Sequence, residues 1–156
     1  MRPEERLGSL LAKKGLTLSV AESCTGGLLG ARITDVPGSS ATFRGGVIAY
    51  QIEVKERLLR VPTRLLEGGS VSEGVARAMA RGCRELFSTD VGVSITGIAG
   101  PGGGTRETPV GLVFVAVDSA WGDRSERIAG SGDRAANREE AVRLALEMAI
   151  ALVEER

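Results

Sequence analysis

Two stretches, residues 90–98 and 110–119, are rich in β-branched and apolar residues, and they are the clearest strands of the chain. Segments with helical spacing surround them. Val75, Ala76, Met79, Ala80 and Cys83 trace one apolar face of a helix over residues 72–87, introduced by Ser70, Ser72 and Glu73. Leu7, Leu10 and Leu11 follow Glu4 and Glu5 at three-and-four spacing, which predicts a helix over residues 3–14 closed at Gly15. A short buried strand over 16–21 leads into a helix expected over 24–34, carrying Leu28, Leu29 and Ile33 and stopped at Val36-Pro37-Gly38. Residues 42–50 alternate weakly as a strand, and a short helix is expected over 53–59. Residues 121–128 pair back on 110–119 through a turn at 120–123, and a long helix fills 137–154. Apolar strands alternating with helices predict a three-layer α/β sandwich.

At 156 residues and 42% hydrophobic, the chain suits one domain, large enough to bury a core without disulfides or metal. Twenty basic and 20 acidic residues cancel, so the broad cationic field behind non-specific nucleic-acid binding is missing, and only 3% of residues are aromatic. No apolar run of membrane-spanning length and no signal-peptide pattern occur, so the expectation is a cytoplasmic protein that binds neither membrane nor nucleic acid. Cys24 and Cys83 fit no metal spacing and read as small buried hydrophobes. The chain has no histidine, which removes the commonest general base and the commonest metal ligand and excludes a Ser-His-Asp or Cys-His mechanism within one chain. Lys13, Lys14 and Lys55 are its only lysines, arginine supplying the other basic residues, and only lysine can give up its proton near neutral pH.

Ser23 falls between an expected strand and an expected helix, where an α/β sheet binds ligands. On spacing alone it reads as the cap of that helix. Gly26-Gly27 disfavours a regular first turn and points instead to close approach by a ligand or another backbone. Cys24 is a rival nucleophile. The glycine-dense loop over residues 97–105 has backbone amides able to cradle an oxyanion, but lacks the Gly-Lys-Ser/Thr ending of a triphosphate-binding loop. Arg134, in Gly132-Asp133-Arg134, offers a bidentate phosphate grip. Tyr50 is the only tyrosine and lies five residues before Lys55. A serine nucleophile without histidine needs another base, and a desolvated lysine is one solution.

Seven ordered motifs resemble the CinA C-terminal domain family over residues 7–153: Ala21-Glu22-Ser23-Cys24-Thr25-Gly26-Gly27, Pro37-Gly38-Ser39-Ser40, Gly46-Val47-Ile48-Ala49-Tyr50, Val71-Ser72-Glu73, Thr96-Gly97-Ile98-Ala99-Gly100-Pro101, Pro109-Val110-Gly111 and Gly132-Asp133-Arg134. Stand-alone members of that family are nicotinamide mononucleotide deamidases. The resemblance implies a three-layer α/β/α sandwich with a mixed, mostly parallel sheet, a Ser23 nucleophile activated by Tyr50 and Lys55, no metal or redox cofactor, and a homo-oligomer, dimer or trimer. The substrate's carbonyl and 5′-phosphate are then expected to meet Thr25, Gly26, Gly27, Gly102, Gly103, Gly104, Thr105, Arg106 and Arg134. Amides at the start of the Ser23 helix are expected to stabilise the oxyanion. The chain departs from relatives at Ile52, where an asparagine is common, and at Thr108, where lysine is common. Two further readings stay open: a nucleotide-binding regulatory domain without turnover, and an amidase for another small carboxamide.

Overall fold

The computed structural model describes residues 1–131 and 133–156, so Gly132 of the Gly-Asp-Arg motif lies outside the described residues. Five strands form one mixed sheet in the order β2-β1-β3-β4-β5. They are β1 (Leu18–Glu22), β2 (Phe43–Ile48), β3 (Val91–Gly97), β4 (Leu112–Ser119) and β5 (Gly122–Ala129). β1 pairs parallel with both β2 and β3, while β4 runs antiparallel to β3 and β5 antiparallel to β4. The sheet is mixed as expected: only β4 runs against the other strands, yet parallel and antiparallel pairings are equal in number.

Helices cover both faces. On one side α6 (Arg134–Glu154) packs on β3 and β4, flanked by α1 (Pro3–Lys14) and α2 (Leu28–Thr34), around a core that includes Leu7, Leu11, Val93, Val115, Leu146 and Leu152. On the other, α5 (Glu73–Phe87) covers β1, β3 and β4, with Val75, Met79 and Cys83 packed against Leu59, Val61 and Leu66. Between β2 and α5 the chain forms two short helices, α3 (Ile52–Arg57) and α4 (Thr63–Leu66). Among the described residues, no helix is long and apolar enough to cross a membrane.

The termini follow local chemistry. Gly15, at φ 66°, ends α1 in the left-handed conformation that glycine adopts without strain. The Ser72 hydroxyl accepts from the Val75 amide to start α5, and Asp133 accepts from Ala135 and Ala136 to start α6. The helix expected from residue 24 begins only at Leu28. Gly26 and Gly27 adopt φ 58° and 107°, outside the right-handed helical region, so residues 24–27 form a turn and Ser23 is not a helix cap.

Topology places the site. From β1 the chain crosses to β2 on one side, then returns past β1 to place β3 on the other. The carboxyl end of β1 is therefore a topological switch point, where the connections on either side diverge and leave a crevice. Ser23 is the first residue beyond that end. Its amide still donates to Ile95 O of β3 at 3.0 Å, and the Ala49 amide, just past β2, donates to Glu22 O at 2.7 Å.

Candidate active site

Lys55, on α3, is fully buried. Its Nζ lies 3.0 Å from Ser23 Oγ, 2.6 Å from Ala49 O and 3.3 Å from Tyr50 O. Burial pushes its pKa below the usual lysine range, and among the described residues no carboxylate pairs with it. The two carbonyls can only accept. They engage both N–H bonds of a neutral amine and leave its lone pair for the Ser23 hydroxyl, which can then donate its proton to Nζ. Ser23 is itself only 8% exposed, so water competes weakly for this contact.

Cys24 is 6% exposed, and burial pushes its thiol up to about 11, which keeps it protonated at neutral pH and removes it as a rival nucleophile.

Tyr50 is placed differently from the expectation. Its side chain is 59% exposed and its hydroxyl lies 3.4 Å from Arg134 Nη2, with no hydrogen bond to Ser23 or Lys55 among the described residues. A proton relay through the Tyr50 hydroxyl is absent from this geometry, because Tyr50 reaches Lys55 only through its backbone carbonyl.

The Thr25 side chain also faces inward. Its hydroxyl donates to Glu22 Oε1 at 2.7 Å, and the whole residue is buried, so Thr25 presents no group to a substrate. At the observed start of α2 the Leu29 and Gly30 amides donate to Glu22 at 2.9 and 3.0 Å, so free amides next to Ser23 lie only in the 24–27 turn, where the helix was expected to begin. Among the described residues, the amides of Cys24, Thr25 and Gly27 donate to no protein acceptor, and with Thr25 fully buried the donors available next to Ser23 are those of Cys24 and Gly27.

The first turns of α6 reach the 23–27 turn and Gly100 through two arginines. Arg134 Nη1 donates to Gly100 O at 2.8 Å, and Arg138, four residues on along the same face, donates to Thr25 O at 3.0 Å. Arg138 Nε is buried without a partner among the described residues. Gly102, Gly103, Gly104, Thr105 and Arg106 form an exposed loop that makes no hydrogen bond to Ser23, Lys55 or either arginine. Thr105 bonds Thr108 across its own turn, with Arg106 at the tip. The structure thus pairs Ser23 with Lys55, bonds the Gly26 amide to Ser23 O and joins Arg134 to the Tyr50 hydroxyl, while residues 102–106 make no hydrogen bond to any of these side chains.

Asn137 ties the base of this loop to α6. It is 4% exposed, donates to Ala99 O and Ser131 O, and accepts from the Ser131 amide. Asn137→Ala leaves those three groups unpaired, with an expected cost of about 2 kcal/mol in urea unfolding.

Sequence reasoning missed Glu22 and Arg138. A charged residue closing an otherwise apolar strand was a visible signal for Glu22; for Arg138, the signal was its i, i+4 spacing from Arg134.

A family model, CinA C-terminal domain, matches residues 2–153. A CinA-like protein of Gemmatimonas aurantiaca is 56% identical over 137 residues, 87% of this chain and 32% of that protein. One from Citrifermentans bemidjiense is 53% identical over 132 residues, 84% of this chain and 32% of that protein. The chain thus spans about a third of the length of these relatives. Among solved structures, the competence/damage inducible protein CihA of Agrobacterium tumefaciens superposes with TM-score 0.90 at 40% identity, covering 96% of this chain and 94% of that one. A CinA superfamily protein of Klebsiella pneumoniae gives 0.93 at 31% identity, with both chains covered in full. With the sheet order, the switch-point serine and these matches together, the chain belongs to the CinA C-terminal domain family.

Proposed function

We propose that this chain is an amidohydrolase that converts nicotinamide mononucleotide to nicotinic acid mononucleotide and ammonia in the cytoplasm. The observation that carries the proposal is Lys55 Nζ, buried with no counter-ion among the described residues, 3.0 Å from Ser23 Oγ. In the reaction, Ser23 Oγ gives its proton to neutral Lys55 Nζ and attacks the carboxamide carbon. The resulting ammonium passes that proton to the amide nitrogen, the C–N bond breaks and ammonia leaves. Water then attacks the acyl-serine, losing a proton to Lys55 Nζ, and the proton returns to Ser23 Oγ as the acid departs. The free amides of Cys24 and Gly27 are the oxyanion donors, each worth about 3 kcal/mol where geometry is good. Arg134 and Arg138, on the first turns of α6, are the countercharges for the 5′-phosphate, Arg138 with a buried Nε that has no partner among the described residues. Ile52, the departure from relatives, begins α3 at 42% exposure and makes no hydrogen bond to the Ser23–Lys55 pair, so its replacement of asparagine leaves that pair intact.

Ser23→Ala is the direct test, with ammonia release measured on the mononucleotide. The expected result is loss of at least about 10³-fold in kcat at an unchanged unfolding midpoint. Retention of the full rate would sink the serine mechanism. A panel of carboxamides with and without the phosphate separates this substrate from other small amides.

A further inference from the structure

Glu22 closes β1, a strand buried along its whole length, and is itself 2% exposed. A carboxylate removed from water needs donors, and it has three: the Thr25 hydroxyl and the Leu29 amide on Oε1, and the Gly30 amide on Oε2. It supplies what the local sequence cannot. Gly27, at the N-cap of α2, has no side chain to offer the helix, so the first free amides of α2 are capped from the strand that precedes the turn. The middle of the 23–27 turn and the first turn of α2 are thereby tied to one side chain. The backbone of the same residue sets the other partner, because Glu22 O receives the Ala49 amide at 2.7 Å and Ala49 O receives Lys55 Nζ at 2.6 Å.

We propose that Glu22 is the positioning residue that holds Ser23 Oγ in register with Lys55 Nζ, by locking the 23–27 turn onto the start of α2. It touches neither substrate nor the reacting atoms. The inference rests on the serine–lysine reading above. A glutamine is not equivalent here, since all three partners are donors and the amide nitrogen must face at least one of them.

The test compares wild type, Glu22→Gln, Thr25→Val and Thr25→Ser. Three quantities are measured: the unfolding midpoint, ammonia release from nicotinamide mononucleotide, and the first-order rate constant for labelling of Ser23 by a fluorophosphonate, which does not depend on how much protein is folded. Glu22→Gln and Thr25→Val are expected to slow labelling and lower kcat together by roughly 10- to 100-fold with KM little changed, the scale of a sub-ångström to 1 Å misplacement of a reacting group. Thr25→Ser, which keeps the hydroxyl, is expected to restore both. Folded variants that label at the wild-type rate constant would overturn the positioning role. Wild-type protein that neither labels nor releases ammonia would instead overturn the serine–lysine reading. If Glu22→Gln does not fold, the Thr25 pair alone decides.

Discussion

Lys55→Met is expected to lower kcat for ammonia release by about 10³-fold or more, within the range general-base catalysis supplies, while binding of the mononucleotide persists. Arginine at the same position should fail as completely, because it cannot give up its proton near neutral pH. In the wild type, the Lys55 amine must be neutral to receive the serine proton. Activity should therefore rise with pH through a single ionisation lying below the ordinary lysine value of about 10.4, because burial favours the neutral amine. Stability carries the same signature. A lysine whose folded-state pKa is depressed binds fewer protons in the native than in the unfolded state between the two values, so stability rises with pH across that window and is lost as pH falls through the folded-state value. The buried thiols of Cys24 and Cys83, both pushed up to about 11, act in the opposite sense at high pH. The difference in unfolding midpoint between wild type and Lys55→Met, followed against pH, isolates the lysine. A pH-independent difference, together with a pH–rate profile lacking that limb, would remove Lys55 as the base.

Legibility of the sequence differed between elements, for physical reasons. Elements with their own punctuation were readable: Gly15 ends α1, Ser72 starts α5, and both appear where spacing put them. The start of α2 was misplaced by four residues, from 24 to 28, because Leu28, Leu29 and Ile33 mark a helical face but not where it begins. That boundary is set by two left-handed glycines and a carboxylate reaching across the turn, the second of which is a tertiary contact. α4 went unforeseen, being a single turn. Within the site, the absence of histidine pointed to Lys55, on the short helix expected over residues 53–59. It is fully buried, with Nζ set against Ser23 Oγ, Ala49 O and Tyr50 O, and the Ser23 contact, 32 residues away, is one that no local pattern encodes. The direction of Tyr50 was equally unreadable. Its hydroxyl turns to Arg134, 84 residues away in the chain.

Gly82→Ala tests the packing of the 58–61 segment against α5. A Cβ at residue 82 would stand 2.0 Å from Leu59 O and 2.8 Å from Leu59 C, and a backbone carbonyl cannot rotate away as a side chain would. Either α5 or the 58–61 segment must shift. That segment is bound to the catalytic region, since the Val61 amide donates to Lys55 O at 3.1 Å and Leu59 and Val61 are each 1% exposed. Overpacking of this kind costs about 3 kcal/mol, offset by about 1 kcal/mol because alanine favours the helix over glycine. The net loss of about 2 kcal/mol should lower Tm by roughly 6 °C in a chain of this length. Gly92→Ala is the control: its Cβ would meet Ala80 O at 2.1 Å, a clash on the same helix but against β3 rather than the 58–61 segment. Both variants should lose stability, whereas only Gly82→Ala should also slow fluorophosphonate labelling of Ser23, since only it displaces the segment hydrogen-bonded to the Lys55 carbonyl. Equal labelling in the two variants would show that the Lys55 position tolerates movement of residues 58–61; an unchanged Tm in Gly82→Ala would show that Leu59 and residue 82 are not in the contact described.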